Sequence, residues 1–165
     1  MKVYIDYISG DEFMSDSFPM TLSMNDACME VKGKWVTKGK EVVNIATDEE
    51  EEDDGQSETV IDIQDKFNLQ EINGWTKKDF MTWVRGFLKA TTLRIKESNP
   101  DREADMKAGA TQLVKLITSK FDEFQIFAGE KMDYEANLCF AYQKEQEDEG
   151  PTFLFFKDGL NEKKY

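Results

Sequence analysis

Residues 76–121 constrain this chain more than any other stretch, because they carry two long helical repeats separated by a proline break. Phe80, Val84, Phe87, Leu88 and Ile95 recur at helical spacing, and Met106, Ala110, Leu113, Ile117 and Phe121 do so again. Between them stands Ser98-Asn99-Pro100-Asp101. Pro100 disfavours helical geometry at Asn99 and suits the first position of a new helix. Thr76 is placed to cap the first helix, since its hydroxyl can accept an orphan backbone N–H. Trp75 and Phe80 occupy the two positions of a hydrophobic staple. Asp101, Glu103 and Asp105 lie near the positive end of the second helix, with Lys115 and Lys120 near its negative end. The pattern predicts an antiparallel helical hairpin with arms about 30 Å long. Gly86 and Gly109 are poor helix formers. With the turn near residue 99, Ala90 falls across from Gly109, and small residues there would let the two helices approach closely.

Charge sets the hairpin apart. Residues 76–120 hold ten Lys or Arg and five Asp or Glu, a balance of +5. The whole chain is −13, so the remainder carries −18. A basic arm projecting from an acidic body has two readings: a solvated polar face, or a docking surface for an acidic partner.

Several function classes fall away on composition. There is no histidine, which excludes His-dependent nucleophilic triads. Cys28 and Cys139 are two isolated cysteines, so the usual structural zinc site is not expected, and they suit a reducing cytosol. No phosphate-binding glycine loop is present. No enzyme chemistry is expected, and no carboxylate pair is singled out for acid–base work. The acidic balance argues against nucleic-acid binding. The N-terminus MKVYIDYISGDEF lacks the apolar segment of a signal peptide, and no run is long enough to span a membrane.

Along the chain, Val3, Ile5 and Tyr7 alternate in a first strand, and Ser9-Gly10-Asp11 makes a turn before Glu12, Phe13 and Met14. Asp11 and Glu12 form an acidic pair beside that turn, read at this level as solvated. Residues 26–37 predict the clearest strand, with Ala27, Met29, Val31 and Trp35 on one face. The seven acids at 48–54 repel one another, which predicts a mobile loop over 46–58. Glu50, Glu52, Asp54 and Gly55 fall near calcium-loop spacings, but the twelfth position is Ile61 where a bidentate Glu is required. Thr59–Gln64 reads as strand. After the hairpin, Phe124–Ala128, Ala136–Tyr142 and Phe153–Lys157 alternate, the last stopping at Asp158-Gly159. Strands on both sides of a helical insertion predict an α+β fold with a mainly antiparallel sheet. The expected organisation is one domain, 1–165. It has a β core at 1–45, 59–72 and 122–165, the acidic loop at 46–58 and the hairpin at 76–121.

Five segments, in order, resemble the translationally controlled tumour protein family. They are MKVYIDYISGDEFMSD at the start, VIDIQDKFNLQE at 60–71, Asn99-Pro100-Asp101-Arg102, FDEFQIFAGEKMDYEANL at 121–138 around Gly129-Glu130, and FFKDGL at 155–160. The resemblance implies a twisted β-tent related to the zinc-binding Mss4-like proteins, without their zinc, from which the hairpin projects. It further implies a cytoplasmic protein that binds calcium, weakly and at no site the sequence identifies, and that associates with and stabilises microtubules. The family's tubulin-binding region falls on the hairpin, where Lys89, Arg94, Lys96 and Lys107 would meet an acidic tubulin surface. An alternative implied role is exchange-factor-like regulation of a Rheb-type small GTPase, with the family's acidic contact residue falling on Glu12.

Three departures from the family pattern stand out. Its Gly- and Asn-rich signature is reduced here to Val43-Asn44-Ile45-Ala46, and Ala128 replaces a larger residue before Gly129-Glu130. Some members end in a cysteine that links dimers; this chain ends in Tyr165, and a monomer is expected.

Overall fold

The computed structural model describes residues 1–38 and 58–165. The acidic run at 48–54 lies outside them, as does the expected acidic loop apart from Glu58, which begins a strand. Eleven strands and three α-helices are found among the described residues. The strands are β1 (Lys2–Asp6), β2 (Glu12–Ser15), β3 (Met20–Ser23), β4 (Cys28–Lys32), β5 (Trp35–Lys38), β6 (Glu58–Ile61), β7 (Gln70–Ile72), β8 (Gln125–Ala128), β9 (Leu138–Tyr142), β10 (Thr152–Phe156) and β11 (Leu160–Lys164). The helices are α1 (Asp62–Phe67), α2 (Lys77–Ser98) and α3 (Glu103–Ser119). All strand pairs are antiparallel, and they form sheets ordered β11-β1-β2, β3-β4-β10-β9-β8-β7 and β5-β6. The α+β expectation, antiparallel sheets with a helical hairpin, is borne out. No described helix is long and apolar enough to cross a membrane.

The centre of the six-stranded sheet, β9 and β10, is buried on both faces. Leu138, Phe140, Leu154 and Phe156 turn toward the hairpin, while Cys139, Ala141, Phe153 and Phe155 turn toward β1, β2 and α1. Trp83 and Phe87 stack 4.9 Å apart, and Phe80 meets Phe140 edge-on at 5.4 Å. Each fully buried aromatic of this kind contributes about 1.5–3 kcal/mol through burial alone. The Trp83 indole N–H donates to the carbonyl of Ala136 at 2.9 Å, so a buried polar atom also registers the helix on the sheet. Thr76 and Asp79 form the reciprocal cap at the start of α2. At the far end, Pro100–Arg102 make a single tight turn before α3 begins.

Local readings change in four places. The strand expected over 26–37 divides at Gly33, where an added Cβ would lie 3.0 Å from the Pro151 carbonyl oxygen. Beyond it the chain leaves the large sheet for β5, and Trp35 is 50% exposed instead of lying in the core. The strand expected over 59–64 ends at Ile61. Asp62 accepts from the N–H groups of Ile63 and Lys34, Ile63 and Phe67 bury as a helical i, i+4 pair, and Asn68 in the left-handed region closes α1. Residues 152–156 are not the last strand, because polar β11 pairs along the edge of β1. Edge strand β3 also went unread, being four residues long with none of them fully buried.

The fourth change concerns Gly109. It does not face Ala90, which is exposed; it faces the turn between β3 and β4, where a Cβ would lie 1.9 Å from the Met24 carbonyl oxygen. Met24, Asn25 and Asp26 all have positive φ, at 55°, 57° and 62°, and α3 lies directly on them. Gly86 differs, since a Cβ there would meet nothing within 4 Å. Gly109→Ala is therefore expected to lower stability by about 2 kcal/mol through overpacking against backbone. Gly86→Ala is expected to raise it by up to about 1 kcal/mol through helix propensity. Urea unfolding followed by circular dichroism distinguishes the two, and equal effects would contradict this placement.

Candidate functional site

Six of the hairpin's ten basic residues fall into two sets. Arg94 and Arg102 turn toward the body. The Arg94 guanidinium donates to the Asp158 carbonyl and to Oδ1 of Asn161, and lies 4.5 Å from the centre of the Tyr7 ring. Arg102 makes a fork to Asp158, with Nε–Oδ1 and Nη2–Oδ2 both at 3.0 Å, and donates from Nη1 to the carbonyl of Asn25 at 2.6 Å. This pair is largely shielded, and the Asp158 carboxylate holds the Arg102 guanidinium pKa above its ordinary value. The hairpin turn is thereby tied to the body.

Lys89, Lys96 and Lys107 turn outward and line one groove between α2 and α3, of about 510 Å³. Arg85 joins them. Its place was legible in the spacing, because 85, 89 and 96 share a helical face at i, i+4 and i+11, whereas 94 does not. The groove's floor is apolar, made by Leu88, Leu93, Met106 and Ala110, and Leu93 is 57% exposed. Glu103 sits among the lysines, 2.8 Å from Lys107 and 3.8 Å from Lys96. The Lys107 hydrogen bond holds the Glu103 carboxyl below its usual value. Among the described residues, Arg85 and Lys89 form no ion pair.

Glu12 lies elsewhere, exposed at the start of β2, and lines a polar cleft of about 330 Å³ with Lys66, Asn68 and Glu130. Its neighbour Asp11 is not a solvated turn residue. Asp11 is buried, and its Oδ2 accepts from the N–H of Lys131 at 3.0 Å. Gly129 permits this, since a Cβ there would come within 2.5 Å of the same oxygen. Asp6, also buried, accepts from Ile8, Ser9 and Asn137 and so fixes the turn that presents Glu12. Lys66 and Asn68 escaped sequence reasoning because α1 was not expected, its first three residues being read as the end of a strand over 59–64.

Among the described residues, no group of three or more His, Cys, Asp or Glu is placed to hold a metal ion. Cys28 and Cys139 point into opposite faces of the large sheet and cannot share a metal or a disulfide. Burial pushes the Cys28 thiol up to about 11 and the Cys139 thiol well above its ordinary value.

Comparison with known proteins agrees with this architecture. The family model described as translationally controlled tumour protein matches residues 1–161. Translationally controlled tumour protein homologues from Theileria parva and Dictyostelium discoideum are each 35% identical to this chain, with the whole of both sequences covered. Among solved structures, the translationally controlled tumour-associated protein p23fyp of Schizosaccharomyces pombe superposes with a TM-score of 0.82 at 30% identity, over the full length of both chains. The Caenorhabditis elegans protein gives 0.72 at 27% identity, covering 100% of this chain and 99% of its own.

The division of the basic residues has a measurable consequence. Arg102→Ala is expected to cost about 2 kcal/mol of stability, because it leaves a shielded carboxylate without its charged partner. Arg94→Ala should cost about 1 kcal/mol. Arg85→Ala and Lys89→Ala should stay within about 0.5 kcal/mol of the parent, as surface substitutions do. Chemical denaturation of the four variants checks the order.

Proposed function

Because this chain belongs to the translationally controlled tumour protein family, we propose that the groove between α2 and α3 is the surface by which it associates with and stabilises microtubules in the cytoplasm. The observation that carries the reading is the convergence of Arg85, Lys89, Lys96 and Lys107 around an apolar floor. An acidic, partly apolar segment of tubulin would meet cations on the rim and Leu88, Leu93 and Met106 beneath. Charge supplies the encounter rate and burial of Leu93 the residence time. Arg94 takes no part in this contact; its role is to hold α2 on the body. Calcium enters the same reading as a weak ligand of the acidic body, held by carboxylates with water completing its shell.

Exchange-factor-like regulation of a Rheb-type small GTPase is the second reading, favoured by one observation. Glu12 stands exposed on a braced turn, in a cleft it shares with Glu130 and Lys66. A carboxylate presented there would compete for the cation or lysine that holds a GTPase's bound phosphates.

Two measurements separate these readings. In microtubule co-pelleting, the parent should bind at low salt and lose most binding as ionic strength rises past physiological, where screening acts over about 8 Å. Changing Arg85, Lys89, Lys96 and Lys107 to Gln should weaken pelleting at least about tenfold, and Leu93→Ala should shorten residence. Pelleting indifferent to salt and to these changes would remove the first reading. For the second, Glu12→Val should abolish any acceleration of nucleotide release from the GTPase while leaving the melting temperature unchanged. Equal release rates for parent and variant would exclude it.

A further inference from the structure

At the start of α2, away from the basic groove, lies a pocket of about 480 Å³ whose walls are aromatic and whose charges are negative. Trp75, Trp83, Phe87 and Tyr134 supply the rings, and Asp79 and Glu135 the carboxylates. The Trp75 and Tyr134 rings stand nearly perpendicular, at 85° with centroids 6.5 Å apart, and so make a corner. Trp83 and Phe87 lie almost parallel and continue the wall. Trp83 is locked by its bond to Ala136, so this wall is formed in advance. Tyr134 is 40% exposed, so its ring is open to a ligand from solvent.

Two further observations point to a ligand. Gly86, in the middle of α2, lines the pocket, and no contact demands a glycine there. A glycine costs helix stability, and here its lack of a side chain leaves the pocket open. The carboxylates are also arranged for use. Both hydrogen bonds from Thr76 to Asp79 fall on Oδ2. Those bonds hold the Asp79 carboxyl below its ordinary value, so it is charged at neutral pH. Among the described residues Glu135 forms no ion pair.

We propose that this pocket binds a methylated ammonium group, with the cation seated in the Trp75–Tyr134 corner and its charge met by Glu135 and Asp79. Aromatic faces attract such cations through their quadrupoles, and a methylated head loses less hydration on entry than a primary amine. A neutral apolar guest would gain nothing from the carboxylates. A metal ion, which holds its water shell far more tightly, would gain little from the rings. The head group has two sources, a free quaternary amine or a trimethylated lysine side chain of another protein, and their chemistry at the pocket is shared.

The test is a titration of the full chain, followed by the indole N–H resonances of Trp75 and Trp83, with that of Trp35 as a reference outside the pocket. The probes are choline, N-acetyl-trimethyllysine methylamide, the unmethylated lysine analogue, and 3,3-dimethylbutan-1-ol, which has the shape of choline without its charge. Choline and the trimethyllysine probe should shift Trp75 and Trp83 saturably and leave Trp35 unmoved. The neutral alcohol should bind at least about fivefold more weakly. Tyr134→Ala and Glu135→Gln should weaken binding and Tyr134→Phe preserve it. Gly86→Leu should abolish it without lowering the melting temperature. Tighter binding of choline points to the free amine, and tighter binding of the trimethyllysine probe to a protein side chain; both uphold the site. Absence of saturation at tens of millimolar, equal binding of the neutral alcohol, or shifts that persist in Tyr134→Ala would overturn it.

Discussion

Strands β9 and β10 are buried along their whole length on both sides, and the rest of the molecule answers the need to cover them. A sheet with aromatic residues on both faces cannot leave either to water. On one face the cover is the hairpin, through Phe80, Trp83, Phe87 and Leu113; on the other it is the β11-β1-β2 sheet with α1, through Tyr4, Phe13, Ile63 and Phe67. The hairpin is thus half of the core's roof as well as an appendage. That explains why its inner face is so rich in aromatic contacts and why its polar outer face is free to specialise.

Charge is sorted by the same geometry. Cations on the inward edge of the hairpin meet carboxylate and carbonyl partners on the body and fix the turn, as Arg102 and Arg94 do. Those on the outward edge are left at the surface beside apolar residues. Net charge alone could not separate these two uses. A positive balance of five on the segment includes both structural clamps and surface groups, and only the helical angle of each residue assigns it.

Much of the fold was legible because long amphipathic periods survive tertiary packing. The two helices, the break at Pro100 and the Thr76 cap follow from spacing and from the chemistry of the caps. What was not legible depends on neighbours distant in sequence. Gly33 divides a good strand pattern because Pro151 and Phe153 crowd it, and Gly109 answers a turn rather than a helix. In α1, Ile61 and Ile63 satisfy a strand period while Ile63 and Phe67 satisfy a helical one, and burial decides between them. Strand β11 escaped because an edge strand with one buried residue has no alternation to show. At the candidate sites, three of the four expected cations share one groove, and Arg94 does not because it falls on the other side of α2. Glu12 is exposed at the start of β2, and the buried Asp11 beside it illustrates how poorly adjacent acids can be told apart without tertiary contacts.

The turn joining β3 to β4 has a consequence for the route by which the chain reaches this structure. Met24, Asn25 and Asp26 follow one another in the left-handed region, which Asn and Asp enter at modest cost but which is disfavoured for Met by about 1–2 kcal/mol. Asn25 is held by Arg102 and Gln112, which are 77 and 87 positions further along the chain. A connection that looks like the most local kind of contact is therefore, in energetic terms, a long-range one. The β3–β4 ribbon should not nucleate early. It would close late, after α3 has docked, so that the edge of the large sheet is completed by a helix synthesised long after it.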